Sequence, residues 1–189
     1  MRRRLSFAIL LVIPGMAFAQ TDKPAASAAP AAARRADVGT RDAIVAALYD
    51  SISGPAGDRD WNRFRSLFIP EAQLIATFKK KDAAKDAPLS YKVMSVQDYV
   101  DGAGKYFKDH AFYEREAARQ VETFGSITHI FSTYESRQTP DGKPFERGIN
   151  SIQLFTVNDG TRWWVVDVYW TGETPENPIP AQYLPKNAQ

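Results

Sequence analysis

The sequence predicts an α+β domain, with N-terminal helices packed on a strongly curved antiparallel sheet. Three observations predict it. Residues 40–110 hold three segments whose apolar residues recur at helical spacing. Residues 112–171 hold four long segments that alternate in polarity or run apolar between turn clusters. Asn158-Asp159-Gly160, between the last two of these, is among the strongest short hairpin signals. Helices first and strands afterwards is the α+β order.

The chain of 189 residues opens with Met-Arg-Arg-Arg, an apolar run from Leu5 to Phe18, and Ala17-Phe18-Ala19 before Gln20. A basic start, a short apolar stretch and a small-residue exit make residues 1–19 a secretory signal peptide, with cleavage expected after Ala19. The run is shorter than the roughly 20 residues that span a bilayer, and Pro14 and Gly15 interrupt it. A periplasmic or secreted mature protein is therefore expected, with no membrane span after cleavage. Residues 20–37 contain eight Ala and two Pro, and read as a disordered tether that buries too little to offset its own ordering. The domain is expected over 38–174 and a Pro-rich tail over 175–189.

Thr40 is the expected N-cap of the first helix, along which Ile44, Leu48 and Ile52 recur every four residues until Gly54-Pro55-Ala56-Gly57 stops it. A second, shorter helix starts after Asp58 or Asp60 and carries Trp61, Phe64, Leu67 and Phe68 to Pro70. Ala72 to Phe78 reads as a strand leading into a lysine-rich loop. Ser95 caps a third helix, Val96 to His110, which Gly102 and Gly104 weaken. The strands that follow are Phe112–Phe124, Ile127–Arg137, Arg147–Val157 and Arg162–Thr171. Pro175, Pro178, Pro180 and Pro185 then mark a tail that wraps the domain.

Composition excludes several functions. With no cysteine there is no disulfide scaffold, thiolate nucleophile or lipidated N-terminal Cys. His110 and His129 are the two histidines, too few and too far apart for a zinc site, and no cofactor is expected. The whole chain carries a formal charge of +2, but Arg2, Arg3 and Arg4 belong to the export signal. Residues 38–189 hold 18 basic side chains against 20 acidic ones, so nucleic acid is not an expected partner. Asp101-Gly102-Ala103-Gly104-Lys105 lacks the first glycine and the final Ser/Thr of a phosphate loop.

The order of elements resembles the nuclear-transport-factor-2-like (NTF2-like) superfamily over residues 40–172. The resemblance rests on Asp60-Trp61 leading to Leu67-Phe68 and Glu71-Ala72, and on Gly160 followed by Trp163-Trp164-Val165-Val166. It implies a cone in which helices close over a bent sheet and leave a pocket. The superfamily includes ketosteroid isomerases, dehydratases, polyketide cyclases, epoxide hydrolases and members without catalysis, so the fold does not fix the function. The position that carries the isomerases' general-base Asp is Ala76 here, and the acid of a later strand becomes Asn150. Tyr49 is the nearest counterpart of their first-helix Tyr. With the base missing, that route of proton transfer is not expected.

Strand residues alternate between two faces. On the last strand Trp164, Val166, Val168 and Trp170 form an unbroken apolar row, expected to face the interior. The resemblance implies that Asn150, Ile152 and Leu154 also point inward, as do His129, Phe131, Thr133 and Glu135. The expected pocket is thus lined by Tyr49, His129, Phe131, Glu135, Asn150, Ile152, Val166 and Trp170, a mostly apolar cleft with a few polar groups. The outer face would show Ile130, Tyr134, Phe155 and Tyr169, apolar enough to expect a homodimer there, with coverage by the tail as the alternative. Three functions stay open. The first is an exported domain that binds a small hydrophobic or amphipathic ligand without catalysis. Another is a small lyase or isomerase with His129 as general base, and the last is a structural or interaction domain whose cavity is filled.

Overall fold

The computed structural model describes residues 32–79, 87–157 and 160–186. The expected signal peptide, most of the expected tether, much of the lysine-rich loop and the Asn158-Asp159 pair lie outside these residues.

Helical structure begins before residue 38. A single turn, α1 (Arg35–Val38), buries Asp37. Its carboxylate accepts from Arg63 at 2.9 and 3.0 Å and from Arg34 at 2.9 Å. The hydrogen bonds from Arg63 hold this carboxyl below its usual range, against the opposing effect of burial. The expectation of a disordered tether up to residue 37 is corrected here, because a buried ion pair ties the turn to the next helices.

The longer helices follow their caps. In α2 (Arg41–Ile52) the Thr40 side chain accepts from the Ala43 N–H at 3.0 Å, and Ile44, Val45, Leu48 and Tyr49 are buried. The segment after it is fixed by Arg59, whose guanidinium donates to the carbonyls of Ile52, Gly54, Pro55 and Gly57. Asp60 caps α3 (Trp61–Arg65) through the Arg63 N–H at 2.9 Å. Ser95 and Asp98 form a reciprocal capping box that starts α4 (Val96–Asp109). A Cβ on Gly104 would sit 3.4 Å from the Trp61 indole nitrogen, whereas Gly102 has open space before it.

Six strands make one sheet: β1 (Phe68–Phe78), β2 (Ser90–Ser95), β3 (Tyr113–Phe124), β4 (Ile127–Arg137), β5 (Glu146–Val157) and β6 (Arg162–Gly172), in the order β2-β1-β6-β5-β4-β3. β1 and β6 run parallel, with Leu74 beside Val168; the other neighbours are antiparallel. The expected all-antiparallel meander is therefore a mixed sheet. The reason is α4, which carries the chain from β2 at one edge to β3 at the other, so that the last strand returns beside the first. β2 was not expected; its Tyr91, Lys92 and Val93 are exposed, so its sequence carries little alternation.

The inner face packs Phe68, Leu74, Ile130, Ile152, Leu154 and Val165 against the helices, all at 3% exposure or less. Each such side chain contributes on the order of 1.5–3 kcal/mol of burial free energy. The tail crosses the outer face of β3 and β4. Thr133 Oγ1 donates to the Tyr183 carbonyl at 2.5 Å, the Tyr183 ring lies 5.2 Å from that of Phe131, and Gln120 donates to the Gln182 carbonyl.

Two strands differ in phase from the expectation. On β4 the buried inner residues are Ile130, Ser132 and Tyr134, so His129, Phe131, Thr133 and Glu135 face outward. A shift of one residue moves a whole strand's side chains to the other face. On β6 a bulge lies between Val165, which pairs with Leu154, and Asp167, which pairs with Gln153. Val166 is the extra residue, and the phase changes across it. Val168 and Trp170 face inward as expected; upstream of the bulge Trp163 and Val165 replace Trp164 on the core side.

Candidate functional site

Between the helices and the inner face lies a cavity of about 380 Å³. Its body is apolar: Leu48 and Ile52 from α2, Leu74, Met94, Phe107 and Phe112 are among its walls. Such walls with a few convergent polar groups are the usual character of a small-molecule site. The polar groups gather at the end formed by β3, β4 and β5: Glu114, Ser136, Tyr134, Glu146 and Asn150, with Tyr49 above them.

Hydrogen bonds fix the direction of each group. Asn150 donates its amide N–H to the Tyr49 hydroxyl oxygen at 3.1 Å. Tyr49 lies 2.7 Å from Ser132 Oγ, and Ser132 donates to Glu116 at 2.6 Å. Ser132 has one hydrogen, so Tyr49 must be the donor in its contact with Ser132. The chain ends on Glu116, which is held by Arg119, itself paired with Asp42 of α2 at 2.8 Å. The Tyr49 proton is thus directed at Ser132, and its hydroxyl is poorly placed to polarise a ligand. Burial pushes its pKa well above the usual phenol value.

Glu114 is the group left for chemistry. It accepts from Ser136 Oγ at 2.9 Å and weakly from Asn150 at 3.5 Å, and it has no basic partner among the described residues. Burial pushes its carboxyl up to about 7, against the lowering effect of those two hydrogen bonds. Close by, Tyr134 donates to Glu146 at 3.0 Å. Gly148 makes that contact possible, because a Cβ there would lie 2.5 Å from the Tyr134 hydroxyl and 2.3 Å from the Thr171 carbonyl. Tyr99 of α4 closes the opposite side, its ring stacked on Phe64 at 5.3 Å and edge-on to Trp170 at 6.4 Å. Among the described residues its hydroxyl has no hydrogen-bond partner.

Of the residues expected in the pocket, Tyr49, Asn150 and Trp170 line this cavity. Ile152 is fully buried on the same face without lining it. His129, Phe131, Glu135 and Val166 are elsewhere, for the reasons of phase and bulge given above. His129 sits on the outer face with Nε2 2.8 Å from Ser151 Oγ. Glu135 is clamped there by Arg115 and Arg137. Glu114 was missed. In Tyr113-Glu114-Arg115-Glu116 the charges alternate without marking a face; only the pairing of Glu114 with Ser136 of β4 does so.

A solved structure from Nostoc punctiforme, of a protein of unknown function with a cystatin-like fold, superposes with a TM-score of 0.51 at 10% identity. The match covers 72% of this chain and 90% of that one. The fold is cystatin-like. An NTF2-like protein of unknown function from Silicibacter pomeroyi matches less closely, with a TM-score of 0.45 at 11% identity over 70% of this chain and 92% of its own. A structure from Parabacteroides distasonis with a provisional ketosteroid isomerase assignment has a TM-score of 0.49 at 9% identity, over 76% and 99% of the two chains. No protein-family model matches the sequence, and no curated protein does. At these identities the likeness extends to the fold alone, and the chemistry has to be argued from the cavity.

Proposed function

We propose that the cavity binds a small molecule with an apolar body and one polar end, the polar end lying against Glu114 and Asn150. One observation carries this reading: an apolar cavity of about 380 Å³ that contains a half-buried carboxyl without a basic partner among the described residues. A buried polar group without full partners costs free energy, which a ligand at that end would recover. The test is native mass spectrometry of gently purified protein beside an Ala103→Phe variant, which narrows the cavity from α4. A bound molecule in the first and not in the second is expected. Absence of any adduct, together with no thermal stabilisation by a panel of small apolar compounds, would overturn the reading.

A second reading, a small lyase or isomerase, is favoured by the Glu114 carboxyl itself, which burial pushes up to about 7, where it exchanges protons at neutral pH. In that reading Glu114 takes the base role that the sequence suggested for His129. Turnover of a compound with an acidic C–H beside a carbonyl would then be lost in Glu114→Gln and kept in His129→Ala.

Export through residues 1–19 to the periplasm or beyond is proposed on the leader sequence alone, and mass spectrometry of the mature N-terminus tests it. A homodimer through the outer sheet face is proposed for the part the tail leaves bare, around Ile75, Val93 and Tyr169, which are register neighbours. A monomeric mass by light scattering at micromolar concentration would overturn it.

A further inference from the structure

Resting on the reading of the cavity as a binding site, we propose that its ligand is an amine, whose ammonium group lies among Glu114, Asn150 and Glu146 while its apolar body fills the space toward Phe107 and Phe112. The argument is a balance of donors and acceptors. At the polar end Tyr134 gives its hydrogen to Glu146, Ser136 gives its hydrogen to Glu114, and Tyr49 gives its hydrogen to Ser132. Asn150 spends its amide hydrogens on Tyr49 and Glu114, so its amide oxygen is left without a partner among the described residues. What remains is a surplus of acceptors: two carboxyl groups and one amide oxygen. An alkylammonium has three hydrogens and no acceptor, which complements that set; a carboxylate or phosphate does not.

Charge points the same way. Neither Glu114 nor Glu146 has an ion-pair partner among the described residues, whereas Glu116, Glu135 and Glu173 each hold an arginine. The aromatic rings of Tyr99, Tyr134 and Trp170 line the same cavity, and aromatic faces favour cations. The Tyr99 hydroxyl, unpartnered among the described residues and within the electrostatic influence of Glu114, is a further group that a ligand could engage. The other charged or titratable groups facing the cavity are Tyr49 from α2, Lys92 from β2 and Asp98 and Tyr106 from α4. Lys92 is the one basic side chain among them and it is exposed.

The test uses the purified full chain and a shape-matched pair of probes, 2-phenylethylamine and 2-phenylethanol, measured by calorimetry. At pH 7.5 the amine should bind about tenfold or more tightly than the alcohol. Glu114→Gln should lower amine affinity by about tenfold and leave the alcohol within about threefold, because Gln keeps the shape and can still hydrogen-bond a neutral oxygen. Wild-type amine affinity should rise between pH 5 and pH 8 as Glu114 ionises, since an alkylammonium stays protonated until about pH 10; alcohol affinity should stay flat. That pH profile needs no variant. Equal binding of both probes, or an unchanged amine affinity in Glu114→Gln, overturns the amine proposal and leaves the cavity reading standing. Binding of neither probe, with no stabilisation by the wider apolar panel, overturns both.

Discussion

Glu114 and Glu135 lie one register step apart on the same pair of strands: Glu114 pairs with Ser136, and Arg115 pairs with Glu135. That step moves from the inner face of the sheet to the outer. On the outer face Glu135 meets the guanidinium groups of Arg115 and Arg137. Burial pushes its carboxyl up, but the hydrogen bonds from Arg137 and Arg115 outweigh this and hold it below the usual range. On the inner face Glu114 has hydroxyl and amide partners only, and burial wins. Residue type, strand pair and backbone geometry are shared. What differs is the company that each face provides, and this makes one carboxylate structural and the other available.

The strongest way to break the contrast is to disturb the inner face where Tyr134 crosses β5. Gly148→Ala sets a methyl group 2.3 Å from the Thr171 carbonyl and 2.5 Å from the Tyr134 hydroxyl. One of these is backbone and cannot swing away, so the sheet or the ring must move. We expect a loss of about 3 kcal/mol or more in chemical denaturation. A loss below about 1 kcal/mol would mean that Tyr134 leaves Glu146 at little cost and does not organise the polar end.

Glu114→Gln should act next most strongly, and in a direction set by pH. The folded value of about 7 lies above the ordinary carboxyl value of 4.5. Between those values the native state binds more protons than the unfolded one, so stability falls as pH rises through this window. The wild type and Glu114→Gln should therefore be nearly matched near pH 4.5. By pH 8 the variant should be more stable, by about 3 kcal/mol if the whole shift is expressed. Thermal melts across pH 4.5–8 read this directly, and parallel curves would show that Glu114 is not desolvated.

Glu135→Gln should show the opposite sign. Its folded carboxyl lies below the ordinary value, so its contribution is present above the unfolded value and is lost as pH falls through the folded one. The variant should lose about 1 kcal/mol at pH 7, since Glu135 is partly exposed and the buried Arg137 loses a partner. The difference should shrink toward pH 3. A variant as stable as the wild type at pH 7 would place the clamp among ion pairs that contribute nothing measurable.

Helices α2, α3 and α4 were legible because their signals are local: Thr40, Asp60 and Ser95 cap them, and apolar residues recur on one side. The existence of the five long strands was legible for the same reason, and so were the approximate ends of all but β1, which starts at Phe68 where the apolar spacing had extended the preceding helix to Pro70. The phase of β4 was not. In Thr128-His129-Ile130-Phe131-Ser132-Thr133-Tyr134 both alternating sets mix polar and apolar side chains, so alternation alone assigns neither to the core. On β6 the sequence shows one unbroken apolar row, and a bulge at Val166 cuts it in two. Tyr49 and Asn150 could be singled out because the resemblance supplied their places. Glu114 could not, because its importance comes from Ser136, Asn150 and Glu146 on two other strands.

The smallest effect should come from His129→Ala, and it tests whether the two faces are independent. His129 lies on the outer face, where its Nε2 meets Ser151 Oγ at 2.8 Å. Ser151 is 1% exposed, so removing the imidazole leaves a buried hydroxyl with one partner fewer, a cost of about 1 kcal/mol. The neighbouring Asp167 is raised by burial and drawn back by His129, so its carboxyl should rise further in the variant. None of these contacts reaches the cavity, because β4 and β5 separate His129 from Tyr134, Asn150 and Glu114. Affinity for 2-phenylethylamine should therefore stay within about twofold of wild type, while Glu114→Gln loses about tenfold. A comparable loss in both variants would mean that the faces are coupled through β4, and that the side of the sheet on which a residue lies does not by itself decide its role.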